Sequence, residues 1–559
     1  MKVLIIGGVA AGPKTAAKIV RMKPDAEVTI IERGAFLSYA GCGFPYYVSG
    51  EVKEQKDLMS TPAGAVRDAA FFQNVKNVKV QSGTEALEID RAGKRVHVKI
   101  LATGEDAWLT YDTLVLATGA SPVLPPIPGV DKKNVFTLHS VPSAENIKTM
   151  LATGKVKDAV IIGSGLIGVE TAEALVAVGC NVTMIEALPQ ILNMLDWEMA
   201  KLVEQHMVAK GVCLLTSTKA LALESDEDEA VVARVKAEKE SILADLVIMA
   251  VGVRANVDLA RKASLEIGTT GAIKVNDRMR TSDPDIYAAG DCVECVDRLT
   301  GRPAFLPLGS TANKQGRVAA INICGGDEKF PGVLGSTVCK VFDFCVARTG
   351  LTEKAARQLR YDIVTASVPG PDKPHYMPQA KSLLMKIVAE RNTGKVLGLQ
   401  AVGPGDGSKR VDVAATAIMA GMTLDDLANL DLCYAPPYSQ AMDNIITAAN
   451  VARNKQDGVM DGIPAEAVHA KLEAGEDFVF LDVRSPQEHA QVRLPKTTLI
   501  PLGALRKRLG ELPHDKEIVT FCQASLRGYE SALILKAAGF SRVRVLDGGV
   551  AMWPYEKET

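Results

Sequence analysis

Three observations predict an α/β chain of several domains. A strand–glycine-turn–helix pattern opens the chain, a complete second copy begins near residue 158, and a smaller strand–helix alternation fills residues 463–559. The length, 559 residues, suggests roughly three to five domains. The formal net charge is −2, so nothing argues for a nucleic acid or an anionic membrane as partner. No uncharged apolar run reaches the roughly 20 residues of a membrane helix. Residues 1–12, MKVLIIGGVAAG, run straight into a strand and a turn rather than a secretion signal. The expected location is therefore the cytoplasm, with the ten scattered cysteines mostly free thiols. Cys292 and Cys295 form an isolated C-x-x-C without a second pair at zinc spacing. They read as structural, and no metal is expected.

In the first unit, KVLII is a short buried strand. GGVAAG follows, then a helical stretch, then the strand EVTIIE ending at Glu32. This is the order of a dinucleotide-binding β-α-β unit. Gly7 permits the tight turn and Gly12 the close packing of helix on strand. The pyrophosphate belongs at the helix N-terminus, where backbone N–H groups are free, and Glu32, followed by Arg33, suits the adenosine ribose. Val9 replaces the middle glycine of the fingerprint. The second unit, DAVIIGSGLIGVE, keeps all three glycines, Gly163, Gly165 and Gly168, and its next strand ends at Glu186. An acidic residue there suits a free ribose 2′-OH and repels a 2′-phosphate. No arginine in EALPQ offsets it, so NADH is favoured over NADPH.

Residues 111–122, YDTLVLATGASP, and 286–294, IYAAGDCVE, are strands ending in glycine turns at Gly119 and Gly290, with Asp291 next to the latter; Gly252 marks a further turn. Residues 330–450 carry no nucleotide fingerprint and read as an α+β interface domain. The polar, glycine-containing stretch 454–462 reads as a linker. In the last domain, Cys522 ends a strand and Arg527 closes a C-x4-R loop before a helix. Successive N–H groups of such a loop form an anion cradle facing the sulfur.

The segment FLSYAGCGFPYYVSG, residues 36–50, contains one cysteine, Cys42. Taken with the two fingerprints, it resembles the pyridine nucleotide-disulfide oxidoreductase superfamily. Within it, the chain is similar to coenzyme A-disulfide reductases fused to a C-terminal rhodanese domain, NADH-dependent persulfide reductases included. The family's single-cysteine motif, S-F-x-N-C-G-x-P-Y, is matched from Ser38 to Tyr46, with Gly41 in place of asparagine. Its glycine turn also carries valine in the middle, as Val9 does here. The resemblance implies two Rossmann-like dinucleotide-binding domains for FAD (1–112 and 254–325) and NAD(P)H (113–253). It further implies a dimerisation domain (330–450) and a rhodanese-like sulfurtransferase domain (463–559).

It implies FAD contacts from Gly119 and Asp291, the latter on the flavin ribityl chain. Two tyrosines of the partner subunit in a homodimer are expected to reach the cysteine. Y-Y-P-G is matched by Tyr376-Met377-Pro378-Gln379, and Y-A-P-P-Y is intact from Tyr434 to Tyr438. A phenol donates a hydrogen bond that favours a thiolate; Tyr438 reads as a packing residue. Met442 stands where some members carry lysine. Lys14, Lys18 and Arg21 share one helix face. Spacing alone fits a solvated face or a phosphate site equally; the resemblance implies coenzyme A, with Ser38 also beside the substrate. The flanks LDVRSPQEHA and VLDGGVAMWP are rhodanese-like, while the usual G-H-I-P-G-A is degraded to Val492–Thr497.

With no second cysteine, the other sulfur must come from the substrate. Cys42 is expected to attack an S–S bond of coenzyme A persulfide, coenzyme A disulfide or polysulfide, its pKa lowered by Tyr434, Tyr376 and the flavin. Cys522 is expected to carry sulfane sulfur as a persulfide. A peroxidase or oxidase cycling Cys42 through a sulfenic acid is one alternative. No histidine precedes His97 to support it. A redox-sensing flavoprotein is the other alternative, and a catalytically inactive rhodanese fold is a further possibility for the last domain.

Overall fold

The computed structural model describes residues 1–226 and 228–558. The chain forms two compact units, Met1–Ala187 with Val212–Leu334, and Leu188–Gly211 with the residues from Gly335 onward.

The first unit holds two five-stranded parallel sheets. One has the order Ile286–Ala288, Thr113–Leu116, Lys2–Ile6, Glu27–Glu32, Val78–Ser82. The other runs Val212–Leu215, Asn181–Ile185, Asp158–Ile162, Leu246–Met249, Val135–Phe136. Strands buried on both faces must be apolar throughout, as KVLII and DAVII nearly are. Helix Ala11–Met22 buries Ala11, Gly12, Pro13, Thr15, Ala16 and Ile19, which leaves Lys14, Lys18 and Arg21 together on its outer face.

Two segments of the expected second nucleotide domain pack elsewhere. Thr113–Leu116, assigned from sequence to the second nucleotide domain, pairs between Lys2–Ile6 and Ile286–Ala288. The first domain therefore extends past residue 112, because a four-residue apolar strand carries no mark of which sheet it joins. Leu188–Gly211, inside the expected 113–253 domain, clusters with the second unit. There Asp196 accepts from Gln400 Nε2 at 2.6 Å and pairs with buried Lys386 at 3.1 Å.

The second unit contains an antiparallel sheet, in the order Thr337–Val341, Phe344–Gly350, Val396–Gly403, Ser382–Glu390, Ile363–Pro371. Val396–Gly403 is buried along its whole length. Helix Asn444–Gln456 runs past the expected domain end at 450 and into the expected linker. Its last turn carries Lys455, which donates to Thr365 O and pairs with Asp547, both contacts a linker would lack. The final parallel sheet has the order Gly462–Ile463, Val543–Leu546, Glu517–Phe521, Phe478–Asp482, Thr498–Leu499. Among the described residues no helix is long and apolar enough to cross a membrane.

Candidate active site

The two glycine turns are built alike. Gly7 and Gly163 have φ of +116° and +102°, a region that suits glycine. A Cβ on Gly12 would lie 1.9 Å from Gly7 O, and one on Gly168 2.3 Å from Gly163 O. Each helix can therefore start only this close to its turn if the residue is glycine. Space around Gly165 is open, leaving its backbone approachable. The acidic residues are oriented by the turns they serve. Glu32 accepts from Gly8 N at 2.7 Å and Gly34 N at 2.6 Å. Glu186 accepts from Ser164 N at 3.0 Å and Ser164 Oγ at 2.5 Å. Arg33 is exposed and pairs with Glu85. Ser38 hydrogen-bonds to Gly8 O through its backbone N–H at 2.8 Å and has φ +48°.

Gly119, Gly252 and Gly290 all have positive φ. Gly290 N donates to Gln315 Oε1 at 2.8 Å. Beside it, Asp291 Oδ1 is buried without a hydrogen-bond partner, and burial pushes its carboxyl up to about 6. A buried polar atom left unpaired costs free energy unless a partner arrives. A flavin's hydroxylated chain supplies that partner, so the residues present fit FAD.

Cys42 sits in the 3-10 turn Gly41–Gly43, directly before the helix Phe44–Val48, and is exposed. The sequence led to the expectation of a lowered pKa. Within its own unit the opposite holds. Protein atoms crowded around the thiol, then the charges of Glu170 and Asp291, push it up. Glu170 lies on helix Leu166–Ala177; burial and nearby Glu173 raise its own carboxyl to about 7. Sequence reading passed over Glu170, although it stands two residues after Gly168. Tyr376, Tyr434 and Tyr438 belong to the second unit and are 63%, 51% and 72% exposed.

In the last domain the structure brings Cys522 and Arg527 together. Cys522 is buried at the end of Glu517–Phe521. Ser525, with φ +70°, turns the chain into helix Leu526–Ala537. Val550 N and Ala551 N brace the loop from outside, donating to Cys522 O and Gln523 O. The Arg527 guanidinium faces the Cys522 sulfur and also donates to both oxygens of Glu488, at 2.8 and 2.6 Å. Sequence reading missed Glu488, yet its signal was present: Ser485-x-x-Glu488 is a capping box. Among the described residues no cluster of His, Cys, Asp and Glu could hold a metal ion.

These sites define a two-dinucleotide flavoprotein oxidoreductase carrying a second, cysteine-loop domain. The chain belongs to the pyridine nucleotide-disulphide oxidoreductase family, which binds FAD and NAD(P)H: residues 1–316 match the family itself, 336–446 its dimerisation domain, and 464–555 the rhodanese-like domain. It is 39% identical over 452 residues to an NAD(P)H sulfur oxidoreductase (CoA-dependent) of Pyrococcus abyssi, covering 81% of this chain and 98% of that one. Among solved structures it resembles an NAD-dependent persulfide reductase from A. fulgidus, with 46% identity and a TM-score of 0.94, covering 99% and 100% of the two chains. It also resembles the reduced CoADR-RHD of Bacillus anthracis, with 37% identity and a TM-score of 0.92 over 99% and 97%.

Proposed function

We propose that the chain is an FAD-dependent, NADH-linked reductase of the S–S bond in coenzyme A persulfide, coenzyme A disulfide or related polysulfides. The observation that carries this reading is the setting of Cys42: an exposed thiol in a glycine-flanked turn, followed by a helix, Phe44–Val48, with no second cysteine. The thiol that resolves a mixed disulfide is then the substrate's own.

The Cys42 thiolate attacks one sulfur of the substrate. A Cys42–S bond forms, the substrate S–S bond breaks, and the departing thiolate takes a proton. When bound, FAD supplies the two-electron path from NADH to this sulfur. Over a turn, coenzyme A persulfide and NADH become coenzyme A, hydrosulfide and NAD⁺. Glu186, oriented by Ser164, supports NADH over NADPH. Lys14, Lys18 and Arg21, on one outer helix face, suit the coenzyme A phosphates, and Ser38 is a further substrate contact on this reading.

Because its own unit raises the Cys42 pKa, the thiolate needs help from outside it. The exposed phenols Tyr376 and Tyr434 of the partner subunit fill that role in a homodimer. Cys522 holds sulfane sulfur as a persulfide opposite the Arg527 guanidinium. The names of the relatives, a CoA-dependent sulfur oxidoreductase and a persulfide reductase, support the same reading.

The test is anaerobic NADH consumption with sulfide detected in parallel. Stoichiometric sulfide from coenzyme A persulfide, lost in Cys42→Ser and kept in part in Cys522→Ser, is the expected result. Full activity in Cys42→Ser would remove the mechanism.

A further inference from the structure

Arg410 ends the first turn of helix Gly407–Ala420 and is 1% exposed. A buried guanidinium is tolerated only when its donors are engaged, and its planar fork fixes where the acceptors must lie. Nε and Nη2 donate to Asp443 Oδ1 and Oδ2 at 3.1 and 2.8 Å. Nη2 also donates to Asp372 O at 3.0 Å, and Nη1 to Asp406 O at 3.0 Å.

Two of these acceptors stand at the necks of the tyrosine loops. Asp372 opens the segment 372–381 that carries Tyr376. It closes that segment by donating its N–H to Lys381 O and accepting from Lys381 N, both at 2.8 Å. Asp443 ends the segment that carries Tyr434 and Tyr438, and it caps helix Asn444–Gln456. Within that segment, buried Ser439 Oγ donates to Cys433 O at 3.0 Å. Gln440 Nε2 adds a second tie, donating to Pro371 O beside Asp372. The rings of Tyr376 and Tyr434 are more than half exposed, so the loop necks set their aim.

We propose that Arg410, assisted by Gln440, is a positioning residue that locks the two tyrosine loops into one rigid pair. This rests on the reading that Tyr376 and Tyr434 serve the Cys42 thiolate. Lysine retains the charge but cannot reach three acceptors in one plane, so Arg410→Lys loosens the junction.

The experiment uses the FAD-loaded, full-length protein. The readouts are the pH profile of Cys42 alkylation by iodoacetamide, followed by mass spectrometry, and kcat/KM for coenzyme A disulfide. Arg410→Lys is expected to move the alkylation profile to higher pH and to lower kcat/KM about tenfold. Reduction of ferricyanide by NADH, which bypasses Cys42, is expected to stay unchanged. In the Tyr376→Phe/Tyr434→Phe background, Arg410→Lys is expected to have no further effect.

A wild-type profile for Arg410→Lys beside an impaired tyrosine pair would overturn the proposal alone. So would an equal loss in both backgrounds. A wild-type tyrosine pair would sink the tyrosine reading, and the proposal with it. Should Arg410→Lys not fold, Gln440→Met removes the second tie without stranding a charge. A smaller shift in the same direction supports the proposal, and no shift overturns it.

Discussion

Arg527 grips Glu488 with both terminal nitrogens, at 2.8 and 2.6 Å, while its guanidinium also faces the Cys522 sulfur. A planar fork held on one edge by a carboxylate presents its remaining edge in a fixed direction. Glu488 is itself anchored, since Ser485 N donates to Glu488 Oε2 and Ser485 Oγ accepts from Glu488 N.

Glu488→Ala should therefore slow sulfur transfer at Cys522 by about tenfold, as expected for one lost charged hydrogen-bond pair, and leave NADH-linked reduction of coenzyme A disulfide unchanged. A persulfide-transfer assay beside the reductase assay separates the two. The pH dependence has a definite sign. Arg527 holds the Glu488 carboxyl down at about 2, so the pair stabilises the fold above the ordinary carboxylate pKa and is lost as pH falls toward 2. Thermal unfolding of wild type and Glu488→Gln should differ at neutral pH and converge near the acid end of that window.

On the proposed function, Glu186 selects the nicotinamide cofactor through its ribose. Glu186→Ala should cut kcat/KM for NADH by roughly ten- to a hundredfold, the worth of about one charged hydrogen bond, with little change for NADPH. Steady-state kinetics with both cofactors decides this. Equal losses for the two would mean that Glu186 supports the turn rather than reads the ribose.

Asp291 makes two predictions of its own. Asp291→Ala should purify with substoichiometric flavin, measured as the ratio of flavin to protein absorbance. In the apoprotein, burial without a partner raises the Asp291 pKa to about 6. A carboxyl raised in the folded state contributes stability that is fully present below its unfolded pKa and is lost as pH rises through about 6. Asp291→Asn apoprotein should therefore melt above wild type at pH 7 and at the same temperature as wild type near pH 4.

The charge of Glu170 adds to the upward shift of the Cys42 pKa. Glu170→Gln removes that charge, so the midpoint of Cys42 alkylation in the apoprotein should move to lower pH. A midpoint unchanged in the variant would show that crowding and Asp291 hold the thiol up without Glu170.

Much of this architecture was legible in the sequence because its signals are local. A strand, a glycine turn and a helix start occupy a dozen residues, and the steric demand for glycine at Gly12 or Gly168 arises within that span. Cys42 stood out through the match of Ser38–Tyr46 to a family motif, also a local signal. The assignment of Thr113–Leu116 failed because so short a strand, with three apolar residues, reads the same in either sheet.

Groups distant along the chain were decided by tertiary structure. The Arg410 junction joins residues 372, 406 and 443. The upward shift of Cys42 comes first from the protein atoms packed around the thiol and then from Glu170 and Asp291, which arrive from other segments. Leu188–Gly211 leaves its sequence neighbours to bring Asp196 to Lys386. A turn is specified by the few residues that make it, whereas burial and charge are properties of whatever the fold packs around a group. The local sequence therefore marked the turns on which the proposed chemistry rests, and the packing of the chain set the ionisation of its groups and the aim of its side chains.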